Sequence, residues 1–147
     1  MQRELESSRS TLPPPRLLLV EDDEIDALSI QRSLNRLQSQ LPLTRVTDSR
    51  AALDLLMART DPNESFVILL DLNTPRMNGF EFLRATATHA IVPNFLTFIL
   101  TTSSSPDDVR ECYQHGAAGY LVKRGSSADF DDLMNKVSGY WEALEWP

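Results

Sequence analysis

The sequence predicts an α/β protein, a doubly wound five-stranded parallel sheet with helices on both faces. Two observations carry that expectation. Short apolar runs recur along the chain, and each stops at polar residues: RLLLV before the acids at 21–24, FVILL before Asp71, FLTFIL before Thr101 and YLV before Lys123. Continuous runs of this length fit strands buried on both faces, as in a parallel sheet. Segments with apolar spacings of three and four lie between them, and strand–helix alternation implies right-handed crossovers. The 147 residues include one cysteine, Cys112, which rules out an internal disulfide and a cysteine-rich metal site.

Residues 1–15 are polar and end in Pro13-Pro14-Pro15. Three prolines favour an extended polyproline arm. Residues 16–147 then form one domain. Strands are expected at 16–20, 66–70, 95–100 and 120–122, with a weaker alternating one at 41–46. The first helix places Ala27, Ile30, Leu34, Leu37 and Leu41 on one face. A second, from Ala51 to Ala58, is capped by Asp48 or Ser49. A third runs over 79–90. The fourth opens at Ser105-Pro106-Asp107-Asp108, with proline in the first turn and acids at the positive dipole end. The last covers 127–146, with Phe130, Leu133, Val137, Trp141 and Leu144 as its apolar stripe. Only 24 residues follow Lys123, room for a loop and one helix, so no output domain is expected.

Charge and hydropathy exclude several functions. A net charge of −7 argues against nucleic acid, which selects Lys/Arg-rich faces. No apolar run approaches the roughly 20 residues that span a bilayer. The N-terminus lacks the apolar region of a signal peptide. The expectation is a cytoplasmic protein with neither a membrane nor a nucleic-acid partner.

In an open parallel sheet, ligands bind at the carboxyl ends of the strands. The apolar runs here end in Glu21 and Asp22, then Asp71, Thr101 and Lys123. Three carboxylates together repel, and a divalent cation relieves that repulsion. Oxygen ligands with open water positions suit Mg²⁺. Asp71 follows five apolar residues and is expected to be the least hydrated of the three acids. A carboxylate beside Mg²⁺ attacks phosphorus and forms an acyl phosphate. Lys123 and Thr101 then neutralise and orient the transferring group.

These residues carry a resemblance. The pair Glu21-Asp22 after LLLV, Asp71 in LLDLNTPRMNGFEFL, Thr101 in ILTTS and Lys123 in GAAGYLVK resemble the receiver domain of bacterial two-component response regulators. The separations agree too: thirty positions from Asp71 to Thr101 and twenty-two more to Lys123. The resemblance covers residues 16 to about 145. It implies a flavodoxin-like (βα)5 fold. It implies that Asp71 is phosphorylated by a histidine kinase or a histidine phosphotransfer protein. It further implies Mg²⁺ at Asp22, Asp71 and the main-chain carbonyl of Asn73, with Glu21 acting through water. Thr101 and Lys123 would contact phosphoryl oxygens, and Tyr120 stands at the switching aromatic, coupled to Thr101. The VEDDEID-type start is similar to a single-domain subgroup, some of whose members serve bacterial phytochromes. Such a protein is no enzyme beyond its own phosphorylation and slow autodephosphorylation, and it signals by protein contact.

Two departures from the family pattern stand out. Arg124 follows Lys123 where the family usually has proline, so a trans bond is expected there. Glu21 replaces the usual Asp. Two other functions compete. A phosphatase with an Asp nucleophile wants D-x-D-x-T, but here the string is Asp71-Leu72-Asn73-Thr74, and an amide cannot transfer the proton. A receiver-like adaptor working without phosphorylation has only Arg124 in its favour.

The remaining features read as follows. His89 and His115 are surface or helix-end residues, and Cys112 is structural. Ile25 and Leu28 lie off the core face of the first helix and are expected to dock a kinase. The last helix carries more apolar residues than one stripe needs, including Tyr140, Trp141 and Trp146. A homodimer through this helix is expected to use them.

Overall fold

The computed structural model describes residues 14–88 and 94–146. Strands β1 (Arg16–Val20), β2 (Leu43–Val46), β3 (Ser65–Leu70), β4 (Asn94–Thr101) and β5 (Gly119–Val122) alternate with helices. Those helices are α1 (Glu24–Arg36), α2 (Ser49–Met57), α3 (Gly79–Thr88), α4 (Pro106–Gln114) and α5 (Ser127–Ala143). The strands form one five-stranded sheet in the order β2-β1-β3-β4-β5, every pair parallel. The doubly wound sheet expected from the apolar runs is therefore the fold.

Strand order explains the strand composition. β1 and β3 are interior, and Leu17–Val20 and all of β3 are buried. They are the most continuously apolar runs in the chain. β2 and β5 are edges, and every residue in them is half-buried. That is why β2 shows only weak alternation. Side chains alternate across the sheet and build two cores. Leu18, Val20, Ile68, Leu70 and Ile99 pack under α2, α3 and α4 through Leu53, Leu56, Phe82, Leu83 and Cys112. Leu17, Leu19, Val67, Leu69, Phe98 and Leu100 face α1 and α5 through Ala27, Ile30, Leu34, Phe130, Met134, Val137 and Trp141.

The helix starts follow their capping chemistry. Asp48 caps α2 and accepts from the Ala51 N–H; Ser105 caps α4, with Pro106 in the first turn. Two helix ends fall short of the sequence expectation. α1 stops at Arg36, with Leu37 as its C-cap, because Gln38 turns to a φ of 57°. Leu37 is consequently exposed, and Leu41 reaches the core from the turn before β2 rather than from a helical face. α5 stops at Ala143, and Leu144 is extended. Trp141 does not belong to an apolar surplus. It is 2% exposed and sits in the core beneath α5. Trp146 folds back on the same core and lines a cavity of about 250 Å³ with Pro15 and Leu41. Of the last helix, Tyr140 remains half exposed, edge-on to Phe98 at 5.6 Å between ring centres. Most of the proline arm, His89 and the expected end of the third helix lie outside the described residues.

Candidate functional site

The strand order reverses between β1 and β3, since β2 lies outside β1 while β4 and β5 lie outside β3. This is the topological switch point, where the carboxyl ends of neighbouring strands open a crevice. Val20 pairs with Leu70, so the next residues of both strands come together. The Asp71 N–H donates to the Val20 carbonyl at 3.0 Å. One carboxylate oxygen from each of Glu21, Asp22 and Asp71 lies within 4.8 Å of the others. Glu21, not Asp71, is the least hydrated of the three acids, 1% exposed against 8%, because it is enclosed beside Lys123 at the strand end, and Asp22 faces solvent. The strand-end turn is fixed by Arg45 of β2, whose Nε and Nη2 donate to the Glu21 carbonyl at 3.0 and 2.9 Å.

Lys123 follows β5 and reaches back across the crevice. Its ammonium donates to Glu21 Oε1 at 2.5 Å and Asp26 Oδ2 at 3.0 Å, and stands 3.6 Å from Asp71 Oδ2. Burial alone would lower the Lys123 pKa; the hydrogen bond and charge of Glu21, with Asp71 and Asp26, more than offset it and hold the group charged. Burial, with Asp71 beside it and Lys123 opposing, pushes the Glu21 carboxyl up to about 8. Three carboxyl groups, those of Glu21, Asp26 and Asp71, thus face one ammonium, and Asp22 adds a fourth acid to the cluster. The donor set fits a divalent cation: hard oxygens, clustered, at a partly open strand end, with more negative charge than Lys123 neutralises. The residues that would hold it are Glu21, Asp22, Asp71 and Asn73. Asn73 lies on the loop after Asp71, and its N–H donates to Asp71 Oδ1 at 3.2 Å.

Thr101 ends β4 and is fully buried, its hydroxyl accepting from the Ser103 N–H at 3.4 Å. The Lys123 N–H donates to the Thr101 carbonyl at 2.7 Å, which locks the ends of β4 and β5 together. The Tyr120 hydroxyl donates to the Ser103 carbonyl at 2.9 Å, and Ser103 Oγ to Asp108 at 2.6 Å. The aromatic is tied to the loop that leaves Thr101. No cis peptide occurs among the described residues, so the Lys123–Arg124 bond is trans.

All the candidate residues except Tyr120 gather at this edge, and Tyr120 is linked to it through Ser103. Sequence reasoning missed Asp26, which is spaced like an ordinary helix-start acid beside Asp23 and Glu24. It also missed Arg45 and Ser103. Cys112 is fully buried, and burial, then Asp108 and Glu111, push its thiol up to about 11, so it is no nucleophile. His115 caps the end of α4. Ile25 and Leu28 are 76% and 45% exposed on α1. Among the described residues no helix is long and apolar enough to cross a membrane.

Known proteins resemble this chain in sequence and fold. Residues 17–138 match the family model of the response regulator receiver domain. The chain is 33% identical over 132 residues to the probable methanogenesis regulatory protein FilR2 of Methanothrix harundinacea, covering 88% of this chain and 84% of that protein. It is 30% identical over 132 residues to response regulator Rcp1 of Synechocystis, covering 88% of this chain and 90% of that protein. The Mn²⁺-bound structure of Rcp1 superposes with a TM-score of 0.78 over 91% of this chain and 99% of that one. The bacteriophytochrome response regulator RtBRR, 29% identical, gives a TM-score of 0.70 over 92% of this chain and 81% of its own. With its acids, threonine and lysine at the strand ends where the sheet reverses, the chain belongs to the response regulator receiver domain family of two-component signalling.

Proposed function

We propose that Asp71 is the phospho-acceptor of a two-component system, charged by a histidine kinase or a histidine phosphotransfer protein. One observation carries this reading: Asp71, itself buried, stands in an acidic cluster at the strand ends, with the Lys123 ammonium 3.6 Å from its carboxylate. A carboxylate oxygen of Asp71 attacks phosphorus. The bond from phosphorus to the histidine nitrogen breaks, and that nitrogen keeps the electron pair. The product is an acyl phosphate on Asp71. Lys123 pairs with the phosphoryl oxygens, and Thr101 offers its hydroxyl once the loop at Ser103 adjusts. A bound Mg²⁺, held by Glu21, Asp22, Asp71 and the Asn73 main chain, would supply charge neutralisation to the transferring group. The exposed Asn73 side chain cannot act as a base, so water removes the phosphoryl group slowly and the protein is not a phosphatase.

RtBRR supports a phytochrome-type kinase as the donor. Ile25 and Leu28, apolar and exposed beside the crevice, form the docking face for it. The output is a protein contact made in the cytoplasm, with homodimer formation around α5. Incubation with a radiolabelled histidine kinase and Mg²⁺ tests the reading. Label leaves the kinase and appears on this chain, and polar residues at Ile25 and Leu28 slow that transfer while labelling by acetyl phosphate is unchanged. Transfer to an Asp71→Asn protein would overturn it.

A further inference from the structure

The loop from Leu72 to α3 carries Asn73, and it is built around a strained turn. Arg76 has a φ of 67°. Across it, the Met77 N–H donates to the Pro75 carbonyl at 2.8 Å. A three-residue turn closed through positive φ is the rarer, strained hand of γ-turn, and a non-glycine residue adopts it only where its surroundings hold it. The Arg76 side chain is 64% exposed, yet its guanidinium is committed. Nε and Nη2 donate to a single oxygen, Asp48 Oδ2, at 3.0 and 2.7 Å. The other Asp48 oxygen accepts the Ala51 N–H at 2.8 Å and so caps α2. Asp48 therefore ties a rigid helix start to the turn.

The next residue makes a second tie. The Ser49 N–H donates to Thr74 Oγ1 at 3.1 Å, and Thr74 Oγ1 donates to the Met77 carbonyl at 2.7 Å. The start of α2, anchored on the sheet through Ala52, Leu53 and Leu56, thus holds the loop at Thr74 and at Arg76, and Thr74 passes the hold on to Met77. Neither Asp48 nor Arg76 has a contact with Glu21, Asp22 or Lys123 among its hydrogen bonds. Their effect on the acidic cluster must pass through the loop between them and Asp71.

We propose that Asp48 and Arg76 form a positioning clamp that fixes residues 72–78 in the shape that presents the Asn73 main chain to the acidic cluster. The proposal rests on the reading of that cluster as a Mg²⁺ site. Two single variants and their double variant test it. Asp48→Asn keeps a good N-cap but removes the charge; Arg76→Ala removes the other half. The measurements are amide hydrogen exchange at Met77 and Gly79, calorimetric titration with MgCl₂ alone, and the urea midpoint. Each single variant should speed exchange at both amides by about tenfold, as local opening becomes easier. Each should weaken Mg²⁺ binding by about tenfold, as loss of an outer-shell partner does. The urea midpoint should move too little to account for either, and the double variant should be no worse than a single one, as expected of one shared interaction. Unchanged exchange, Mg²⁺ affinity equal to wild type in a loosened loop, or additive losses would each overturn the clamp. If the wild-type protein binds no Mg²⁺, the cluster reading falls, and the exchange arm alone still decides whether the clamp holds the loop.

Discussion

Asp48 shows how a single side chain couples local structure to stability. The Ala51 N–H bond and the Arg76 guanidinium outweigh burial and hold its carboxyl below the usual carboxylate range. A carboxylate whose pKa is lower in the folded than in the unfolded state stabilises the fold above its unfolded pKa of about 3.9. That contribution fades as pH falls through the folded value. Urea unfolding of wild type and Asp48→Asn across pH 7 to acid should therefore show wild type more stable at neutral pH, by less than about 1.4 kcal/mol, the size of a tenfold effect, and the two curves converging as pH falls from about 4 through the lower folded value. Parallel curves would contradict this. The candidate site residues were legible because each one ends an apolar run: Glu21, Asp71, Thr101 and Lys123 are where hydrophobicity stops. Asp26 and the Asp48–Arg76 pair were not, because their roles depend on partners 97 and 28 residues away. No local pattern marks a charge as the one that a remote lysine or arginine reaches.

At the scale of elements, helix faces were legible and helix ends were not. Ala27, Ile30 and Leu34 form the buried face of α1 as their spacing implies, but Leu37 and Leu41 continue that spacing past the real end. Periodicity alone cannot see the left-handed turn at Gln38. The α1 end is instead fixed by the neighbouring helix: Asp131 of α5 accepts from Arg36 Nε at 3.0 Å and from Ser33 Oγ at 2.6 Å. Composition made α5 look richer in aromatics than a core requires, yet packing uses Trp141 completely. Trp141→Ala should cost about 3–5 kcal/mol in urea unfolding, the range for removing a buried large aromatic. Light scattering of the same variant should show the oligomeric state of the wild type. A loss of self-association at unchanged stability would place Trp141 at an interface instead of in the core. Gly79 constrains the other face in a similar way. A Cβ there would meet Leu72 Cα at 2.8 Å, a backbone atom that cannot swing aside, so α3 can begin this close to the acceptor loop only with glycine.

For the whole molecule, topology does what no single element can. Residues 21, 71, 101 and 123 are spread over most of the chain, and a parallel sheet delivers them to one edge because every strand runs the same way. The reversal of order between β1 and β3 then sets Glu21 and Asp22 against Asp71. Strand order is not written in any run of residues, but alternation of strand and helix with right-handed crossovers leaves few arrangements to choose among. The chemistry assigned to that edge can be tested without the cognate kinase. Wild type and Asp71→Asn are incubated with acetyl phosphate, with Mg²⁺ or with EDTA, and intact mass is recorded. Wild type should gain the mass of one phosphoryl group only with Mg²⁺ present, and Asp71→Asn should gain none; a phosphorylated Asp71→Asn protein, or a wild type that stays unmodified with Mg²⁺, would overturn Asp71 as the acceptor.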